Sequence, residues 1–357
     1  ADINRPAYDD PRFKQSYDSI RARTLAEGGA KLVDHSALYS IEGTYNFSKY
    51  TSKVADIIAG GFGKIYQLNS DGNLFADAPG SPISVAEYGG YAQASRKLGD
   101  RIKLQVSGRY DQNQNFKGRF TPRATATYKL AEYNHIRLSY QTAYRFPSNQ
   151  QQYIDLNVGS GVRLLGGNEL FKDKYNFSNQ LYDLNAFSVG QVQTYNWTQL
   201  KPEAITSYEL GYRGLLDKGN LMVDVYGYWG QYQDFLGRKL TIQFKDGNPA
   251  NHTLYDTTNR YYSLPVNTTD KVKTYGFGIS MDYRLPGNYT VGFNLASDVL
   301  KDVPDNFVAY FNAPKYKANL NFGNTGFGCC KRYGFNVTYR WQQAMLYEGD
   351  FANGNLP

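Results

Sequence analysis

The chain has 357 residues, with 33 Tyr, 35 Gly and only 2 Cys, and aromatic side chains make up 16% of it. Its net charge is +7 and its mean hydropathy is −0.58, yet Lys and Arg are scattered among acids with no run of one sign. That scatter argues against a nucleic-acid partner, whose footprint is a basic patch or stripe. No stretch approaches the roughly 18 consecutive apolar residues of a membrane helix. A β-strand that meets lipid on one side only still averages to polar, so low hydropathy does not exclude the membrane.

The opening, around Asp9-Asp10-Pro11-Arg12, is polar and loop-like, and no secretory leader begins at Ala1. The segment therefore reads as an internal piece or a processed product. From residue 33 the organising signal is period-two alternation. Over 33–47 one face carries Val33, His35, Ala37, Tyr39, Ile41, Gly43, Tyr45 and Phe47, and the other is mostly polar. A strand between hydrocarbon and a wet lumen needs those two faces.

The same alternation predicts strands over 54–66, 85–97, 102–111, 120–130, 135–145, 205–214, 221–232, 275–285, 289–298, 314–322 and 333–342, about 12 in all. Short turns are expected near 48–53, 98–101, 131–134, 215–220, 286–288 and 324–332. Longer loops are expected at 67–84, 112–119, 146–204, 233–271 and 299–312. Strict alternation of short and long connections is the habit of outer-membrane barrels, whose periplasmic turns are tight and whose extracellular loops are long. Tyr, Phe and Trp gather at strand ends, as in Tyr333, Phe335, Tyr339 and Trp341 around Val337, which suits interfacial belts. The fold class is thus all-β, an antiparallel transmembrane β-barrel occupying 1–357. Its long extracellular loops fall at about 67–84, 146–204, 233–271 and 299–312. The first strand descends to the periplasm and the strand at 333–342 ascends. The chain then ends within the next loop at Asn355-Leu356-Pro357, so closing strands are expected elsewhere.

Several stretches carry a family resemblance: Glu87-Tyr88-Gly89-Gly90-Tyr91-Ala92-Gln93, Ser107-Gly108-Arg109-Tyr110-Asp111, Phe120-Thr121-Pro122-Arg123-Ala124, Tyr140-Gln141-Thr142-Ala143-Tyr144-Arg145-Phe146-Pro147, and Leu200-Lys201-Pro202-Glu203 leading into Ser207-Tyr208-Glu209-Leu210-Gly211-Tyr212. Together they resemble TonB-dependent receptors, particularly those of the Bacteroidetes. In the last stretch Pro opens a strand and Glu faces inward. The resemblance implies a barrel of about 22 strands with a plugged lumen, of which these would be about the eighth to the nineteenth. Nothing here matches the plug or its TonB-contacting segment.

The chemistry of catalysis is missing. His35, His135 and His252 lie far apart without metal-ligand spacing, and the common hydrolase, metalloprotease and phosphate-loop motifs are absent. No enzyme activity, cofactor or metal is expected. A barrel phospholipase would need His35 to find a nucleophile, but Ala37 is its same-face neighbour. Gly60-Gly61-Phe62-Gly63 lacks the rest of a dinucleotide fingerprint. Cys329-Cys330, in a periplasmic turn, is either a strained vicinal disulfide or two small turn residues.

Candidate ligand residues lie in the loop 146–204 and beside it: Arg145, Asn149, Gln150, Gln151, Tyr153, Tyr175, Phe177, Tyr182, Tyr195 and Trp197, with Trp229 and Tyr232 at the base of 233–271. Flat aromatics beside amides suit sugars, haem-like rings or peptides. Inward charges at Arg109, Arg123, Arg137, Glu209 and Arg213 either attract an anionic ligand such as a ferric chelate or pair among themselves. The expected function is ligand-gated uptake of a scarce solute (iron chelate, oligosaccharide or peptide) through an outer-membrane TonB-dependent receptor. Its expected partners are outer-membrane lipid, a plug domain, the TonB complex and a surface lipoprotein lid. The alternatives are a passive porin or adhesin and the barrel phospholipase.

Overall fold

A computed structural model describes residues 6–24, 27–158, 161–178, 180–349 and 354–356. Twelve strands form one antiparallel sheet: β1 (Ala37–Asn46), β2 (Asp56–Leu68), β3 (Ile83–Leu98), β4 (Ile102–Asn113), β5 (Phe116–Ala131), β6 (Asn134–Arg145), β7 (Glu203–Leu216), β8 (Leu221–Gln233), β9 (Lys273–Leu285), β10 (Tyr289–Lys301), β11 (Tyr316–Phe327) and β12 (Tyr333–Gln342). Each pairs with its neighbours in chain order, with β1 and β12 at the two edges. Every strand expected from alternation is present, with ends shifted by a few residues. The first loses most: 33–36 lie before β1, so His35 sits outside the strand, its N–H bonded to the carbonyl of Asn69 at 2.7 Å.

Register makes the faces continuous. Val106 stands opposite Ala94 and Ala124, Ala124 opposite Tyr140, Tyr140 opposite Tyr208, Tyr208 opposite Trp229, and Trp229 opposite Tyr275. One row on this outer face is therefore apolar across seven strands, because a ladder keeps side-chain parity from strand to strand. Ile41, Val106 and Val337 are 77%, 55% and 61% exposed, so among the described residues no second sheet packs on that face. Aromatics belt both ends of it. Tyr140–Tyr208 and Tyr208–Trp229 lie 5.4 and 6.1 Å apart toward the long-loop end. Tyr289–Phe322 and Phe322–Phe335 lie 5.7 and 5.5 Å apart toward the tight-turn end.

Tight turns close one end at 99–101, 132–133, 217–220, 286–288 and 328–332. Gly99 (φ 63°) and Gly287 (φ 78°) take the left-handed backbone that an L side chain disfavours. Cys330 is an exposed free cysteine there, and the side chain of Cys329 lies outside the described residues.

Three expectations are corrected. The loop expected over 112–119 is a two-residue hairpin, Gln114 and Asn115, because β4 and β5 run on past it. Asn113 Oδ1 accepts from Asn115 N–H at 2.9 Å and Gln112 Nε2 donates to two carbonyls at 2.7 Å, which fixes the reversal. The loop-like opening is a helix, Pro11–Ala22. Asp10 caps it by accepting from Arg12 N–H at 2.8 Å, and Pro stands where a helix loses no hydrogen bond. The third is the segment 146–204, expected from sequence simply as a long loop. It contains the helices Asn149–Tyr153, Leu170–Lys174 and Leu184–Ser188 and several short strands.

Those short strands join strands of 234–272 in a six-stranded sheet, ordered 194–195, 181–183, 236–243, 260–267, 162–165, 155–157. This cap holds the molecule's main buried cluster: Leu165, Phe171, Phe177, Leu181, Phe235, Tyr262, Leu264, Val266, Val272 and Phe307. The remaining long connections are tied in. Ala76 N–H bonds Tyr153 O at 2.9 Å, and Arg238 and Val308 exchange two backbone bonds at 3.0 Å. After β12, Met345–Tyr347 pairs with Gly354–Leu356, while Pro357 lies outside the described residues.

Candidate functional site at the capped mouth

Two cavities of about 460 Å³ each open where the inner face of the wall meets the cap. One is lined by Tyr66, Glu87, Arg109, Asp111, Asn113, Tyr144, Arg145, Phe146 and the helix start at Ser148-Asn149. The other is lined by Arg145, Gln150, Gln151, Glu203, Leu236, Arg238, Tyr310 and Phe311, among others. Arg145 and Ser148 belong to both.

Local sequence explains why these groups converge. Pro147 ends β6 after Phe146, and Ser148 begins a short helix with a reciprocal capping box: its hydroxyl accepts from Gln151 N–H while the Gln151 side chain accepts from Ser148 N–H. The helix is pinned to the neighbouring hairpin, where Asn115 Nδ2 donates to Gln152 Oε1 and Tyr153 Oη at 2.7 Å each. Across the mouth, Pro202 precedes β7 and Glu203 opens it. Arg145 Nε contacts Glu203 Oε1 at 2.9 Å, and Glu203 Oε2 accepts from Leu236 N–H at 3.0 Å. One carboxylate thus joins β6, β7 and the cap.

Four of the five inward charges singled out from sequence, all but Arg123, lie in ion pairs. Arg109 reaches Asp111 at 2.7 Å, Arg137 reaches Glu209 at 2.5 Å, and Arg213 reaches Asp224 at 3.9 Å. Arg123 stands opposite Gln141 on the same face. Arg109 also lies 4.8 Å from the centre of the Phe62 ring. Of these charges Arg109 and Asp111 line one of the two cavities.

Among the sequence candidates, Arg145, Asn149, Gln150 and Gln151 come together at the cavities, with Tyr153 buried directly behind them. Tyr195, Trp197 and Tyr232 pack on the cap's buried cluster, and Phe177 belongs to it. Burial pushes the Tyr195 hydroxyl up to about 12. Tyr175 packs there too and donates to Asp155 at 2.6 Å, and burial first, then that carboxylate, raises its pKa. Burial alone would raise Asp155, but bonds from Lys174, Tyr175 and Arg163 outweigh it and hold the carboxyl below its usual range. Tyr182 lies in a second cap cluster with Ile242 and Phe244. Trp229 is on the outer face beside Tyr208, so its parity turns it away from the mouth.

Tyr66, Glu87, Asn113, Arg238, Tyr310 and Phe311 were not singled out from sequence. Glu87 had a usable signal, since it pairs in register with Lys64 and Asn113 on the inner face. Arg238 had none, because its place in the mouth depends on the cap sheet.

A wall with one apolar and one polar face, its long connections gathered into a cap at one end, is the architecture of a membrane β-barrel receptor. The chain belongs to the TonB dependent receptor-like, beta-barrel family, whose model matches residues 3–357. Its fold is similar to the siderophore receptor PirA from Acinetobacter baumannii (TM-score 0.58, 15% identity, covering 92% of this chain and 48% of that one). It is similar to the ferric enterobactin receptor PfeA from Pseudomonas aeruginosa, in a doubly substituted form (0.60, 15%, 87% and 42%). It is also similar to the copper transporter OprC (0.54, 14%, 90% and 44%). The chain spans less than half the length of these structures. No curated protein sequence matches it. The family and these neighbours are transport receptors, not enzymes.

Proposed function

We propose that this chain forms part of the wall and extracellular mouth of an outer-membrane receptor that takes up a scarce solute by ligand-gated, TonB-dependent transport. The supporting observation is the mouth itself: two cavities of mixed polar and apolar lining that share Arg145, beneath a cap with its own hydrophobic core. A passive pore needs an open entrance, and a folded cap works against free diffusion. An iron chelate, an oligosaccharide or a peptide each fits cavities lined by amides, aromatics and charge pairs. The solved neighbours named as siderophore and copper proteins favour a metal-bearing solute.

In this reading the wall belongs to a barrel of about 22 strands. Its partners are outer-membrane lipid, a plug, the TonB complex and, in a Bacteroidetes-type receptor, a surface lipoprotein lid. Arg145, Asn149, Gln150 and Gln151 form the ligand-facing set, with Tyr153 buried behind them, while Tyr175, Tyr195 and Trp197 hold the cap that presents them.

The test is conductance and uptake by the full-length receptor. In planar bilayers it stays closed, and in cells its uptake of a labelled ferric chelate, iron-free siderophore or oligosaccharide stops when TonB is deleted. A steady ohmic conductance, or uptake indifferent to TonB, would favour the porin alternative.

A further inference from the structure

Between the two aromatic belts the outer face carries an apolar groove of about 560 Å³, lined by Ile136, Leu210, Val225, Gly227, Phe277 and Ile279 among others. Gly227 is its floor. In register it stands between Leu210 on β7 and Phe277 on β9, so a position without a side chain is walled by two large apolar ones. A Cβ at Gly227 would meet nothing nearer than the Gly276 carbonyl oxygen at 3.8 Å. Two other outer-face glycines, Gly108 and Gly214, are covered by the chain's own rings. At Gly108 a Cβ would meet Phe120 Cζ at 2.4 Å, and at Gly214 it would meet the Tyr212 hydroxyl at 2.2 Å. At Gly227 that covering is absent.

We infer that this groove is a binding site for one acyl chain of a membrane lipid. The inference rests on the membrane reading above. The groove is continuous with the apolar band that meets hydrocarbon, and polar groups contribute little of its lining. One pair toward the loop end lies the row Tyr208, Trp229 and Tyr275, amphipathic rings suited to the headgroup level. A chain anchored there descends along Gly227 and then Val225, between Leu210 and Phe277. It fills space that would otherwise leave apolar walls without contact partners.

Trp229 lies two residues from Gly227 on the same face and reports occupancy. The receptor is purified in dodecyl maltoside with its other Trp residues (Trp197 and Trp341 in this chain) replaced by Phe. It is then titrated with a phosphatidylcholine carrying a dibrominated stearoyl chain. The groove predicts saturable quenching of Trp229. It also predicts about tenfold weaker binding in Gly227→Leu, roughly what losing contact with two methylenes amounts to. Gly43→Leu, also on the outer face but with nothing within 4 Å of its Cβ, serves as control and leaves binding unchanged. Quenching that rises without saturating overturns the inference, as does equal binding by Gly227→Leu. A receptor dimer that Gly227→Leu dissociates overturns it too, by making a second copy the occupant. If Gly227→Leu fails to fold, the titration of the unsubstituted groove decides alone. A receptor that stays monodisperse without detergent would instead sink the membrane reading itself.

Discussion

In the wall, Ile41 is 77% exposed and Val337 61%, whereas in the cap Leu165, Phe171, Ile242 and Phe244 are fully buried. Both regions are β-sheet built by one chain, yet the cap's sheet packs its main core from its own side chains, while the wall's buried apolar residues, such as Leu68 and Val85, gather near the loop end. The wall's apolar residues meet in rows across strands and wait for hydrocarbon, so the bilayer completes the wall as side chains complete the cap. The polar chemistry divides similarly. Wall charges pair within and across strands at partly exposed positions, where an ion pair contributes about 0–1 kcal/mol. The cap's Asp155 is buried among three donors.

The strongest way to break this comparison is to remove a core side chain. Phe171→Ala should cost about 3–5 kcal/mol by deleting a fully buried ring. Hydrogen exchange should then show 162–165 and 236–243 losing protection while 102–113 keep theirs. Simultaneous loss in both regions would mean that wall and cap are one cooperative unit. Next in size, Val106→Arg or Ile279→Arg should hinder membrane insertion by about 2–4 kcal/mol near the midplane. Gln105→Arg and Ser280→Arg, on the inner face, should insert better. Equal insertion of all four would reverse the assignment of faces.

Glu203→Gln sharpens the seam between the regions. It removes the charge partner of Arg145 while keeping an acceptor for Leu236 N–H. A loss of about 1 kcal/mol is expected, read as earlier thermal release of the cap. The smallest effect concerns His252, whose ring nitrogens face Asp256 at 2.7 Å and Asp246 at 2.8 Å beside the Phe244 ring. The Asp256 bond first, then Asp246, raises the His252 pKa above 6.5. Its contribution is therefore fully present below pH 6.5 and fades as pH rises through the raised value. Asn251, Asn248 N–H and His252 hold Asp246 down at about 2, so its contribution persists above pH 3.8 and is lost only toward pH 2. NMR titration of the imidazole checks the first, and an unshifted midpoint near 6.5 would refute it.

The wall was legible because each strand's two solvents are written in its own alternation. Ile41, Val106 and Ile279 announce a face before any partner strand is known, and Pro202-Glu203 marks the start of β7 by local chemistry alone. The hairpin at Gln114-Asn115 was missed because the Asn113 and Gln112 side chains, not a Gly-containing turn signal, make the reversal. The helix after Asp10 was missed although its cap and Pro stand in plain order.

By itself, then, the sequence determined a twelve-stranded two-faced sheet and the parity of its residues, since period and register are local properties that neighbouring strands inherit. Tertiary structure alone decided which loop residues face a cavity. Tyr195 and Trp197 look as available as Arg145 and Gln150 until segments more than fifty residues apart pair in one sheet and draw the first two against its buried cluster, and no local pattern encodes such long-range pairing.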